Sequence, residues 1–115
     1  YDVLYLVSIN DAQVTTLSAD RASRTSGIPV LANSTYHPHG LEIADAPTTG
    51  SAIVYFDGNF PAVPSGNIQG PMAYHSLAHN QVLGFEPAID LASGFLQSGT
   101  IADECSGKCY FNGTW

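Results

Sequence analysis

Four histidines are the side chains whose type and spacing best suit chemistry, and they fall in two pairs, His37-Pro38-His39 and His75-x-x-x-His79. Neutral imidazole is the common ligand of zinc, copper and nickel, so together they are a candidate set for zinc or copper. Glu42 or Asp45 would add an oxygen ligand. Residues two apart on a strand face one side, which lets His37 and His39 converge. His75 and His79 are more demanding. On a helix their Cβ atoms lie about 6 Å apart and can share an ion. On a strand they stand about 13 Å apart and cannot. A metal site there requires Met72 to Asn80 to be helical. The plain alternative is four ordinary histidines in loops and core.

Cys105 and Cys109 are expected to close a small disulfide loop in an oxidising compartment, with Gly107 easing the turn. Loop-closure entropy gives about 2 kcal/mol for so short a ring, so the bond pins an end more than it holds the fold. The three intervening residues exclude the C-x-x-C redox spacing. Asn33-Ser34-Thr35 and Asn112-Gly113-Thr114 are glycosylation sequons. Tyr36, Tyr74, Tyr110 and Trp115 offer aromatic faces on which sugar rings can stack.

Signals for catalysis are thin. No G-x-S-x-G elbow is present, and Ser, His and Asp in a Ser-rich chain carry no information. A catalytic carboxylate pair cannot be read without three-dimensional spacing. The chain therefore leans away from an enzyme, with no catalytic residue assigned.

The elements that must position these groups read mainly as strands. Val3 to Ile9 is apolar on both faces and ends at the turn signal Asn10-Asp11. A hairpin to a second strand over Ala12 to Leu17 is expected, followed by a polar loop from Ser18 to Gly27. Short strands follow at Ile28 to Asn33, where Pro29 marks an edge or a start, and at Leu41 to Ile43. Asp45 to Gly50 reads as a turn, and Ser51 to Phe56 is a confident strand stopped by Asp57-Gly58. Pro61, Pro64, Gly66, Gly70 and Pro71 then break the chain. Met72 to His79 fits helix or strand, and Gln81 to Phe85 reads as strand. Pro87 to Gln97 has helical spacing at Ala88, Leu91, Ala92 and Phe95. Thr100-Ile101 and Tyr110-Phe111 are terminal strand candidates. The resulting expectation is one mainly β domain over 1–115, a small antiparallel β-sandwich or barrel with at most one or two short helices.

Composition bounds the partners. Ten acidic residues against three basic ones give a net charge of −7. Nucleic-acid affinity depends on Lys and Arg neutralising phosphates, so that class is excluded, and docking on anionic membranes is disfavoured too. No apolar run is long enough for a membrane-spanning helix. Only 11% of residues are charged, well under the usual quarter, and Ser and Thr supply the polarity instead. A start at Tyr1 is expected of a processed product or a fragment.

The function these features lead to is a secreted or cell-surface, non-enzymatic structural or recognition module. A glycosylated homo-oligomer or filament subunit fits it, assembling by exchange of the N-terminal strand Val3, Leu4, Tyr5, Leu6 and Val7. The alternatives are a secreted His-coordinated metal-binding protein and a small carbohydrate-binding or carbohydrate-active protein.

Overall fold

The computed structural model describes residues 1–63 and 72–112, with the backbone alone for 72–76. Strands β1 (Leu4–Ser8), β2 (Val30–Leu31), β3 (Ile43–Ala44) and β5 (Ala52–Phe56) form one sheet in the order β1-β5-β2-β3. All its pairings are parallel. β4 (Thr48–Thr49) and β6 (Thr100–Ile101) form a separate antiparallel pair. Helices α1 (Thr16–Ser26), α2 (Met72–Gln81) and α3 (Glu86–Ser98) complete the described elements, with a 3-10 turn at Val82–Gly84 between α2 and α3. The architecture is α/β. The expected antiparallel β-sandwich or barrel is overturned by this parallel four-strand sheet and its helices.

β5 organises the sheet. All five of its residues are fully buried. Such a strand needs cover on both faces and a neighbour on both edges, which parallel α/β sheets provide. Ile53 and Tyr55 pack with Tyr5, Val7 and Val30 under Ala19 of α1. Ala52, Val54 and Phe56 face the other way, against Val82, Ala88 and Leu91. Strand alternation thus divides the apolar residues between two cores, one beneath α1 and one beneath α3.

The expected hairpin after β1 does not form. Asp11 instead folds its carboxylate back on the chain and leads it into α1. Thr15 caps that helix, its side chain accepting from the Ser18 amide. Gly27, at φ 67°, ends it in the left-handed conformation. The polar loop expected over Ser18 to Gly27 is therefore mostly helix. Its hydroxyls stay satisfied inside the helix: Ser23, Thr25 and Ser26 donate to the carbonyls of Ala19, Arg21 and Ala22. The strand expected over Gln81 to Phe85 is likewise corrected to the 3-10 turn, because α2 and α3 are joined there by only a few residues. The helical spacing from Pro87 appears as α3, with Glu86 and Pro87 in its first turn and Gly99 as its left-handed cap.

α1 is fixed to the sheet by a polar clamp. The buried Asp20 carboxylate accepts from Tyr55 Oη at 2.6 Å and from Tyr36 Oη at 3.2 Å. The two rings meet edge to face at 5.3 Å. Burial, then the hydrogen bond to Asp20 and its negative charge, pushes the Tyr55 phenol far above the ordinary tyrosine value. Tyr36 shifts the same way, by burial and the charge of Asp20. Both phenols stay neutral in the fold at pH values where an unfolded tyrosine, with a pKa of 10.0, ionises. Their contribution is whole below that value and is lost as the pH rises above it. Tyr55→Phe should lower stability by about 2 kcal/mol, since it removes a hydrogen bond to a buried carboxylate. Urea midpoints measured at neutral and alkaline pH should show that loss, and a shallower alkaline decline in the variant.

Candidate functional site

In an open parallel sheet, ligands sit outside the carboxyl ends of strands where successive connections leave to opposite faces. β1 and β5 are such a pair. The chain leaves β1 towards α1 on one face, and leaves β5 towards the α2–α3 layer on the other. β1 is also the edge strand of the sheet. A cleft of about 390 Å³ follows its free side. α1 forms one wall through Ser18, Ala19 and Ala22, and Val82 and Leu83 form the other.

The polar end of this cleft lies past Ser8. Asn10 adopts φ 64°, and its side-chain amide donates to the Phe60 carbonyl at 2.9 Å, tying the β1 and β5 loops together. Asp11 follows and is buried. Its Oδ1 accepts from the amides of Gln13 and Val14 at 2.8 and 3.1 Å. Its Oδ2 lies 2.8 Å from Nδ1 of His79, which is half-buried near the end of α2. A carboxylate can only accept, so Nδ1 carries the hydrogen. Nε2 of the neutral ring is then left as a hydrogen-bond and proton acceptor. Ser8 Oγ, buried on the same stretch of cleft wall, has no hydrogen-bond partner among the described residues. Buried polar atoms are rarely left so.

His37 and His39 are elsewhere. His37 lies between β2 and β3, its Nε2 on the Ala32 carbonyl at 3.2 Å, and His39 is exposed in the same loop. Lys108 Nζ also donates to that carbonyl, at 2.7 Å. α2 supplies the helical spacing that a His75–His79 pair requires, but the His75 side chain lies outside the described residues. Among the described residues no group of three or more His, Cys, Asp or Glu converges as a metal site.

The sequon Asn33-Ser34-Thr35 is woven into the sheet end. Asn33 is buried, and Nδ2, the atom a glycan would occupy, donates to Asp103 Oδ1 at 2.8 Å. Ser34 Oγ accepts from the Tyr55 amide and Thr35 Oγ1 donates to the Tyr55 carbonyl. Asn112 is exposed, and the rest of its sequon, with Trp115, lies outside the described residues. Cys105 and Cys109 form a disulfide. It holds a loop whose Cys109 amide bonds the Asn33 carbonyl and whose Cys109 carbonyl takes the Asp57 amide. Tyr110 is exposed beside Phe111, Phe85 and Asn112 in a shallow depression. Val3 to Val7 lie in their own sheet, paired with β5.

Asp11 and Ser8 carried no motif in the sequence. Asn10-Asp11 read as a hairpin turn, and the partner of Asp11 is 68 residues away. A parallel-sheet reading would have marked both, because they stand where β1 ends. Asp11→Ala should lose two amide bonds and the histidine contact together, costing about 1–3 kcal/mol. Nitrogen-15 NMR should find the Nδ1–H form of His79 in the parent, with that preference lost in the variant. Set beside known proteins, the chain matches no family model, no curated protein and no solved structure.

Proposed function

We propose that this protein is a binding module that takes a small, mainly apolar molecule bearing one hydroxyl group into the cleft beside β1. The observation that carries this reading is the meeting of three things at one end of an apolar cleft. They are an Asp11-held His79, its acceptor Nε2, and the unpartnered hydroxyl of Ser8. The walls supply non-directional burial, and the polar end fixes orientation, as in most small-molecule sites. A ligand hydroxyl would donate to Nε2, and Ser8 Oγ, closed off from solvent in the unliganded fold, would turn towards the cleft to meet it. The cleft volume suits one or two rings.

The Asp11–His79 pair also favours a second reading, in which Nε2 removes a proton from the bound molecule as a general base. Binding returns the ligand unchanged; catalysis converts it. Mass analysis of the recovered ligand separates the two. We propose further that the module works in an oxidising, extracellular setting, a reading supported by the Cys105–Cys109 disulfide.

The probe is 2-naphthol, with naphthalene as the analogue lacking a hydroxyl. Naphthol should shift NMR signals from Tyr5 to Asp11, Ser18 to Ala22 and His79 to Leu83. His79→Phe should weaken it about tenfold, the effect of one hydrogen bond near 1.4 kcal/mol, and should leave naphthalene binding unchanged. Equal loss for both probes, or signals that move elsewhere, would reject the proposal.

A further inference from the structure

The two edges of the sheet are built differently. β3 is two residues long, and Asp45 and Pro47 follow it at once. Shortness, charge and proline are the usual means of blunting an edge against another chain. β1 has none of these. It runs five residues, and Val3 to Asn10 contain no charge, no proline and no glycine.

The β1–β5 ladder fixes which backbone groups face outward. The Ala52 amide bonds the Val3 carbonyl, and the Ile9 amide bonds the Phe56 carbonyl. Odd-numbered residues of β1 therefore address β5, and the amides and carbonyls of Leu4, Leu6 and Ser8 point away from it. Apolar side chains flank this open edge on both sides. Val14 stands exposed beside it at the α1 end, and Leu83, Ile89 and Leu96 do so on the α3 side. In a chain of net charge −7, this neutral strip is the exception.

We infer that the open edge of β1 is an interface with a second copy of this chain, the two β1 strands pairing antiparallel about a two-fold axis with Leu6 opposite Leu6. A second strand can satisfy a whole row of outward amides and carbonyls at once. The neutral, apolar character of the strip calls for a partner strip of the same kind. A second copy supplies that strip, and two-fold pairing covers both open edges in one step. With Leu6 central, Leu4 of one copy stands opposite Ser8 of the other, and about six main-chain hydrogen bonds form. The exposed residues Tyr1 to Val3 of each copy then run past the carboxyl end of the other's β1. The partner strand lies along the same free side of β1 as the cleft, so strand pairing and ligand binding compete for it.

Native mass spectrometry and sedimentation over a concentration series test the pairing, and cysteine cross-linking tests the register. The native cysteines are joined to each other, so an introduced thiol reports alone. Opposed residues of this kind have Cα atoms about 5.5 Å apart, within disulfide reach. Leu6→Cys should therefore give a covalent dimer on mild oxidation. Leu4→Cys should not, because two Leu4 positions lie about 13 Å apart along the strands. Leu83→Asp, at an exposed position that leaves the fold intact, should raise the dimer dissociation constant at least about tenfold. A monomer at every soluble concentration overturns the inference, and so does a dimer that cross-links through Leu4 and not Leu6. Naphthol shifts in a protein that stays monomeric at every concentration would sink the interface alone; no naphthol response at dilutions where the dimer has dissociated would sink the ligand reading alone.

Discussion

The complete burial of β5 is the constraint on which the rest of the structure depends. Five consecutive residues without exposure cannot lie at a sheet edge or on a half-solvated face. β1 and β2 must flank the strand, and helical layers must cover both faces. Once β5 sits between β1 and β2, the chain leaving β1 has to cross it to reach β2. α1 is that crossover, and it commits one face. The connection after β5 is left with the other face, which α3 fills. The crevice between β1 and β5 follows from that division.

Much of the polar chemistry holds this arrangement together. Asp20 joins α1 to the sheet through two tyrosine hydroxyls, in place of the apolar stripe that α1 lacks. Ser34 and Thr35 complete the backbone bonding of Tyr55 where the short β2 runs out. The disulfide loop adds Cys109 beyond the sheet, between the carbonyl of Asn33 and the amide of Asp57. Gly58 belongs to the same corner. A side chain there would overlap the rings of Phe60 and Phe111, so its absence lets Phe111 stack on Phe85.

Against that background, Asp11, His79 and Ser8 stand apart. Asp11 organises the entry to α1 through Oδ1, yet its second oxygen is spent on a half-buried histidine at the mouth of a cleft. Ser8 Oγ is buried with no hydrogen-bond partner among the described residues, as Asn33 Oδ1 also is. Most other buried polar groups of the described residues are satisfied by neighbours in the chain, and of these two residues only Ser8 lines the cleft beside β1, as His79 does. That placement, more than any motif, is what supports the site proposed at the carboxyl end of β1.

The sequence by itself determined those elements whose signal is local. β5 was legible as an apolar run stopped by Asp57-Gly58. α3 was legible in the spacing of Ala88 and Leu91 behind Pro87, and the disulfide in the nearness of Cys105 and Cys109. Tertiary structure alone decided what β1 pairs with, since an apolar strand followed by Asn-Asp serves a hairpin or a parallel crossover equally well. It also decided α1. That helix turns Ala19, Asp20 and Ser23 to the sheet, a face too small and polar to show as hydrophobic periodicity, and its stability comes from a clamp to Tyr36 and Tyr55. His79 was visible as a chemical group, but Asp11 became its partner only when the end of β1 met the end of α2. Contacts between residues far apart in the chain depend on packing, and no local spacing encodes them.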